Sequence, residues 1–110
     1  TGNFFDMTSV EEIPEGVPYV TALHGNYPNP FNPETRISFT LGKESEVKIL
    51  IYNIRGQLVK SLLETRMQDG PHTVLWDGKD DLGRLVGSGL YFYTLQTDDY
   101  RATRKMLMLK

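Results

Sequence analysis

Apolar and polar side chains alternate along several short runs of this sequence, which is the pattern of a β-strand with one buried face. The first two runs cover residues 36–41 and 47–52, where Ile, Phe, Leu and Val occupy every second position. A turn that ends at Gly56 predicts a hairpin, in which residues 57–64 return as a third strand. The leucine spacing of this third run allows a short helix as the alternative, but the turn before it favours a strand.

Four more strand-like runs follow in the second half of the chain. They cover residues 72–76, 85–86, 90–97 and 100–109, and turn-forming residues separate them. No run has a convincing helical period, and turn signals recur roughly every 8 to 12 residues. The sequence therefore predicts an all-β fold, an antiparallel immunoglobulin-like β-sandwich of about seven strands, with a small barrel as the alternative. Trp76 is expected in the core because it lies on the apolar side of an alternating run.

A rigid segment precedes the first strand. Pro28, Pro30 and Pro33 each fix φ and lack a backbone donor, so neither a helix nor a central strand can pass through this segment. Tyr27 and Phe31 are large apolar side chains in the same segment, and we expect them to plug one end of the sandwich. In the alternative interpretation, this turn belongs to a surface that a partner recognises.

Residues 1–24 show no sustained hydrophobic period and are predicted to be a linker or N-terminal extension. Residues 25–110 are predicted to form the folded domain, since a chain of this length suits a single domain. Because the chain starts at Thr1 rather than at Met, we expect a processed product or a fragment of a longer chain.

The composition argues against several classes of function. Twelve basic and fourteen acidic residues give a net charge of −2, and no basic run exceeds the pair Arg104 and Lys105, so we expect no nucleic-acid partner. No apolar stretch approaches the roughly 20 residues of a membrane span, so we expect no membrane-spanning segment. The chain has no cysteine, and therefore no disulfide framework and no thiol nucleophile.

Candidate catalytic residues are scarce. His24 and His72 are the two histidines, and neither has a nucleophile and an orienting acid at a spacing that indicates a catalytic unit. We therefore expect no enzyme activity, no catalytic residue and no cofactor.

A weak calcium candidate lies in the loop after Trp76. Asp77, Asp80 and Asp81 could supply oxygen ligands, but the glutamate that would close an EF-hand loop is replaced by Ser88. The favoured alternative is a loop in which the aspartates bond to local amides, and no metal is bound.

The last predicted strand is apolar on both faces over residues 106–109. One face belongs to the core. The other is either covered, as in a central strand, or accessible beside a free strand edge that could pair with a partner.

Several motifs occur in a characteristic order along the chain. They cover residues 26–39, 47–59, 76–78, 83, 88–93 and 105–110. Together they closely resemble the C-terminal type A sorting domains of the type IX secretion system, which are similar to the immunoglobulin-like domain of the flagellar hook-capping protein. The resemblance extends over residues 27–110.

This resemblance implies a non-catalytic domain that targets a secreted or surface-attached bacterial protein to the type IX secretion machinery and its outer-membrane anchoring. The implied partners are the outer-membrane secretion machinery and an upstream passenger domain of the same polypeptide, and the implied location is secreted or on the cell surface, reached through the periplasm. The positions implied in partner recognition are Pro28, Asn29, Pro30, Phe31, Gly89, Tyr91, Lys105 and Lys110. The alternative function is a structural or adhesive immunoglobulin-like module at the end of a multidomain surface protein.

Overall fold

The computed structural model describes residues 18–110, which form two antiparallel sheets packed face to face. The strands are β1 (Ala22–Tyr27), β2 (Thr35–Leu41), β3 (Ser45–Tyr52), β4 (Leu58–Met67), β5 (Gly70–Trp76), β6 (Gly89–Gln96) and β7 (Arg101–Met108). One sheet has the order β1-β2-β5 and the other β4-β3-β6-β7. The predicted immunoglobulin-like sandwich is confirmed. Nothing in residues 18–110 forms a helix that is long and apolar enough to cross a membrane.

The core lies between the two sheets and is filled by the alternating side chains that the sequence indicated. On β2 and β3 the side chains at every second position are buried. The fully buried large side chains include Trp76, Tyr93, Phe31, Phe39, Ile37, Leu41, Ile49, Ile51, Leu95, Met106 and Met108. Because successive side chains of a strand point to opposite faces, this alternation directs one face of each sheet inward.

The described part of the chain has seven strands, as predicted, but one predicted strand is absent from it and one strand was not predicted. Residues 85–86 do not form a regular strand. Leu85 makes an isolated bridge with Lys79, and the amide of Val86 donates to the carbonyl of Gly78 at 2.9 Å. These residues therefore close the loop after β5.

The strand β1 was not predicted, and it includes residues 22–24, which we expected in the linker. Its register against β2 shifts between Leu23 and Gly25, and Gly25 has a φ of 135°. A bulge of this kind interrupts the period of two, so the alternation that marks a strand is lost from the sequence. Residues 1–17, the rest of the expected extension, lie outside the described part of the chain.

The expectation that two aromatic rings plug the end of the sandwich is correct for Phe31 and wrong for Tyr27. Phe31 is 2% exposed, whereas Tyr27 is 82% exposed. Tyr27 is paired with Arg36 across β1 and β2, and directly opposed residues share a face of the sheet. That face is the outer one, because the neighbouring Ile37 is buried.

The two ends of the described chain lie at opposite ends of the sandwich. Thr21, just before β1, accepts a hydrogen bond from the amide of Gly42 at 2.8 Å, at the end where β2 finishes. The terminal strand β7 instead finishes beside Phe31, which forms a bridge with Met108. Thr21 therefore lies at the end of the domain that is distant from Phe31.

Candidate functional site

The proline segment, residues 28–33, lies along the outer edge of the end of β7. The amide of Phe31 donates to the carbonyl of Leu107 at 3.0 Å, and the amide of Leu109 donates to the carbonyl of Phe31 at 2.9 Å. The side-chain oxygen of Asn29 accepts a hydrogen bond from the amide of Leu107 at 3.0 Å. The proline segment therefore extends the four-stranded sheet by one short parallel bridge.

Side chains of Asn26 and Thr35 hold the proline segment in place. The carbonyl of Pro28 accepts hydrogen bonds from the Thr35 hydroxyl at 2.8 Å and from the Asn26 amide nitrogen at 3.3 Å. The side-chain oxygen of Asn26 accepts a hydrogen bond from the Tyr93 hydroxyl at 3.0 Å. Since proline cannot donate a backbone hydrogen bond, these side-chain contacts replace the ladder bonds that fix an ordinary strand.

Phe31 anchors the segment in an aromatic cluster at the end of the core. Its ring centroid is 5.6 Å from that of Trp76, which in turn lies 5.7 Å from that of Tyr91. The Tyr91 hydroxyl donates to the carbonyl of Gly87 at 2.7 Å, and burial raises the pKa of this hydroxyl. Phe31 and Tyr91 are two of the residues implied in recognition. Their side chains are buried, so they pack beneath the surface at this end of the domain.

The residues at the end of the chain also contact the start of β6, on the side opposite to the proline segment. Gly89 is paired with Met108, and the amide of Lys110 donates to the hydroxyl of Ser88 at 2.9 Å. A shallow cavity of about 310 Å³ lies over this region, and its lining includes Pro28, Pro30 and Leu109 in addition to Lys110. The structure therefore brings Pro28–Phe31, Gly89 and Lys110 together at one end of the domain.

β7 is an edge strand, so the interpretation of a central strand covered on both sides is wrong. Met106 and Met108 are buried in the core, whereas Leu107 is 36% and Leu109 is 50% exposed on the other face. Lys105 shares this outer face, where it is paired with Phe92 of β6. The terminal strand thus presents two leucines and two lysines to the solvent.

The three aspartates of the calcium candidate each accept hydrogen bonds from backbone amides, Asp77 and Asp80 within the loop and Asp81 from β4. The Asp77 carboxylate accepts the amide of Lys79, the Asp80 carboxylate accepts those of Leu82 and Arg84, and the Asp81 carboxylate accepts that of Ser61. The backbone hydrogen bond from Arg84, with help from that of Leu82, holds the pKa of Asp80 below its usual value. Within residues 18–110, no three acidic or histidine side chains are grouped so that they could hold a metal ion. Asp77 and Asp80 thus have the local bonding that the sequence favoured, whereas Asp81 bonds to Ser61 in β4.

Three residues that build this site were not among the predicted site residues. Asn26 and Thr35 fix the proline segment, and Ser88 holds the chain terminus. All three lie within the motifs, but nothing in the sequence marks Asn26 and Thr35 as partners of the Pro28 carbonyl or Ser88 as the partner of a residue at the chain terminus.

Comparisons with known proteins give the fold and the family. Two solved structures from Porphyromonas gingivalis are similar: dimeric latent PorU, with a TM-score of 0.65 and 22% identity over 88% of this chain, and PorZ, with a TM-score of 0.54 and 19% identity over 80%. PorZ is described as an essential bacterial surface component of the type IX secretion system. The matched regions make up 10% of the PorU chain and 11% of the PorZ chain.

The search of curated proteins found no match. The sequence model of the family described as FlgD Ig-like domain matches residues 26–100, well over half of the sequence. The chain therefore belongs to the FlgD Ig-like domain family.

Proposed function

We propose that this domain is a non-catalytic C-terminal sorting signal, which targets a secreted or surface-attached bacterial protein to the type IX secretion machinery and its outer-membrane anchoring. Three findings support the proposal. The motifs resemble those of type A sorting domains, the chain is a FlgD Ig-like domain, and its fold is similar to part of a surface component of that secretion system.

The observation that carries the proposal is the convergence of the motifs at one end of the sandwich. Asn29 and Leu107 are 78 positions apart and are joined by a hydrogen bond of 3.0 Å. Ser88, beside Gly89, bonds to the backbone of Lys110 from the opposite side. A receptor that contacts this end can therefore read all three motifs on one continuous surface.

The path of the chain leaves this surface accessible when a passenger is attached. The chain enters β1 from the side of Gly42, at the far end of the sandwich from Phe31. The described chain thus begins at the end opposite to the converged motifs, which favours a passenger that lies away from them. A signal read by secretion machinery needs this separation, because a large passenger at the same end would cover it.

The lysines of the terminal strand give a test that separates recognition from folding. The side chains of Lys105 and Lys110 are exposed and form no ion pair within residues 18–110. Replacing both with Ala keeps the backbone hydrogen bond of Lys110. The double variant should therefore lose no more than about 0.5 kcal/mol of stability per site, as surface substitutions usually do.

The experiment fuses the domain to the C-terminus of a reporter in a bacterium that has this secretion system and measures delivery of the reporter to the cell surface. The matched control replaces Lys43 and Lys48 with Ala, which makes the same change in net charge on surfaces distant from the converged motifs. Melting temperatures of the purified domains report on folding.

We expect the Lys105→Ala, Lys110→Ala variant to lose delivery with an unchanged melting temperature, and the control to be delivered normally. Normal delivery of both variants would show that the two lysines are not part of the signal. Pro28–Phe31 and Gly89 would then remain as its candidate residues. Delivery of a reporter that carries no domain would refute the sorting function and leave the structural or adhesive module.

A further inference from the structure

A groove with a mixed polar and apolar lining runs along the side of the sandwich where the edge strands β1 and β7 face each other. It has a volume of about 720 Å³ and includes His24, Asn26 and Asn29 on one wall and Thr103, Arg104 and Lys105 on the other. No aspartate or glutamate lines it. The groove is separate from the aromatic cluster and adjoins the proline segment through Asn29.

The edge of β7 that borders this groove has unpaired backbone groups. In an antiparallel strand, the backbone groups of alternate residues point to the same side. Those of Leu107 point away from β6, because they bond to Phe31 and Asn29. The groups of Lys105 and Thr103 therefore also point away from β6, and they have no hydrogen-bond partner within residues 18–110.

The side chains of Thr94 and Thr103 support this assignment. The two residues are directly opposite each other in β6 and β7, and their hydroxyl oxygens are 2.8 Å apart. Side chains approach each other most closely at antiparallel pairs that do not exchange backbone hydrogen bonds. The backbone groups of Thr103 therefore face the groove rather than β6.

The groove is also positively charged. The Arg104 side chain reaches across it, where its Nε donates to the carbonyl of Leu23 in β1 at 3.0 Å. Neither Arg104 nor Lys105 has a carboxylate within 4.0 Å among the described residues. These two cations thus lie next to a row of free backbone groups without an acidic partner.

We propose that this groove binds an extended polypeptide segment that adds to the edge of β7 and places a carboxylate side chain against Arg104 or Lys105. Unpaired ladder groups provide the backbone hydrogen bonds for strand addition, and the side-chain neighbours provide specificity. The proline segment already occupies the edge at Leu107, so the free portion is the stretch near Thr103 and Lys105. This binding activity is a property of the domain itself and does not depend on the proposed secretion role.

The test titrates the full 110-residue chain, labelled with ¹⁵N, with a seven-residue peptide of alternating valine and glutamate. Two matched peptides serve as controls: one has lysine in place of each glutamate, and the other is N-methylated at every residue, so that none of its backbone nitrogens can donate a hydrogen bond along either edge. The amide resonances of Thr103 and Lys105 report on the edge directly, because strand addition would give these amides new acceptors.

We expect saturable shifts of the Thr103 and Lys105 resonances at millimolar glutamate peptide, and binding at least about tenfold weaker for both control peptides, a difference of about 1.4 kcal/mol. Absence of these shifts at millimolar glutamate peptide would overturn the proposal. Equal binding of the lysine peptide would exclude charge recognition, and equal binding of the N-methylated peptide would exclude strand addition, so either result also overturns it.

A pair of variants tests the charge contribution independently. Lys105→Gln removes a cation from the groove, whereas Lys48→Gln removes one from β3, where Lys48 is 3.8 Å from Glu64. Lys105→Gln should weaken binding of the glutamate peptide several-fold, and Lys48→Gln should leave it unchanged. An equal effect of both substitutions on peptide binding would refute local recognition in the groove. The backbone spectra of both variants verify that they are folded.

Discussion

Replacing Trp76 with Ala should be among the most destabilising single changes in this domain. Trp76 is the last residue of β5 and is 0% exposed, with Phe31 and Tyr91 packed against its ring. Its indole nitrogen donates to the carbonyl of Lys79 at 2.9 Å. The substitution therefore removes the centre of the aromatic cluster and one hydrogen bond that closes the following loop.

The expected magnitude follows from this environment. A tryptophan side chain buries up to about 250 Å² of surface, which at about 25 cal/mol per Å² corresponds to roughly 6 kcal/mol as an upper bound. The neighbouring rings can relax in part into the cavity, and measured truncations of buried aromatic residues cost about 3–5 kcal/mol. Because native domains have a total stability of about 5–15 kcal/mol, a loss of this size is a large fraction of the total.

The free energy of unfolding is measured by denaturant titration followed by far-ultraviolet circular dichroism, since the variant lacks the chain's single tryptophan and its fluorescence. The matched control is Leu75→Ala. Leu75 precedes Trp76 in β5, points to the opposite face and is 40% exposed, so its truncation should cost less than about 1 kcal/mol. A loss below about 1 kcal/mol for Trp76→Ala would refute the assignment of Trp76 to the core.

Two further predictions concern ions and pH. Millimolar Ca²⁺ or a chelator should leave the melting temperature unchanged, because the aspartates of the Asp77–Asp81 loop already accept hydrogen bonds from backbone amides; a rise of more than a few degrees would reveal a calcium site. Burial raises the pKa of Tyr93 to about 12, with Arg104 acting in the opposite direction, so its stabilising contribution is complete below the unfolded value near 10 and is lost as the pH rises through 12. Tyr93→Phe should therefore lose less stability than the wild type between pH 10 and pH 12 in denaturant titrations, and equal losses would contradict this assignment.

The sequence by itself determined the strands with regular alternation and the turns between them. β2 and β3 were predictable because their side chains alternate between core and solvent, a period that depends only on local backbone geometry. The hairpin turn was predictable for the same kind of reason, since Gly56 has a φ of 80°, a conformation that favours glycine. The burial of Trp76 and Phe31 followed from their size and apolar character.

Only the tertiary structure determines which of these elements are in contact. The bulge at Gly25 removes the alternation from β1, and the exposed position of Tyr27 depends on its pairing with Arg36. The contact between Asn29 and Leu107, and the free edge of β7 beside it, depend on how the two sheets pack and on where the proline segment turns. Local periodicity carries no information about such contacts, because a hydrogen bond between residues 78 positions apart is fixed by the packing of the whole sandwich.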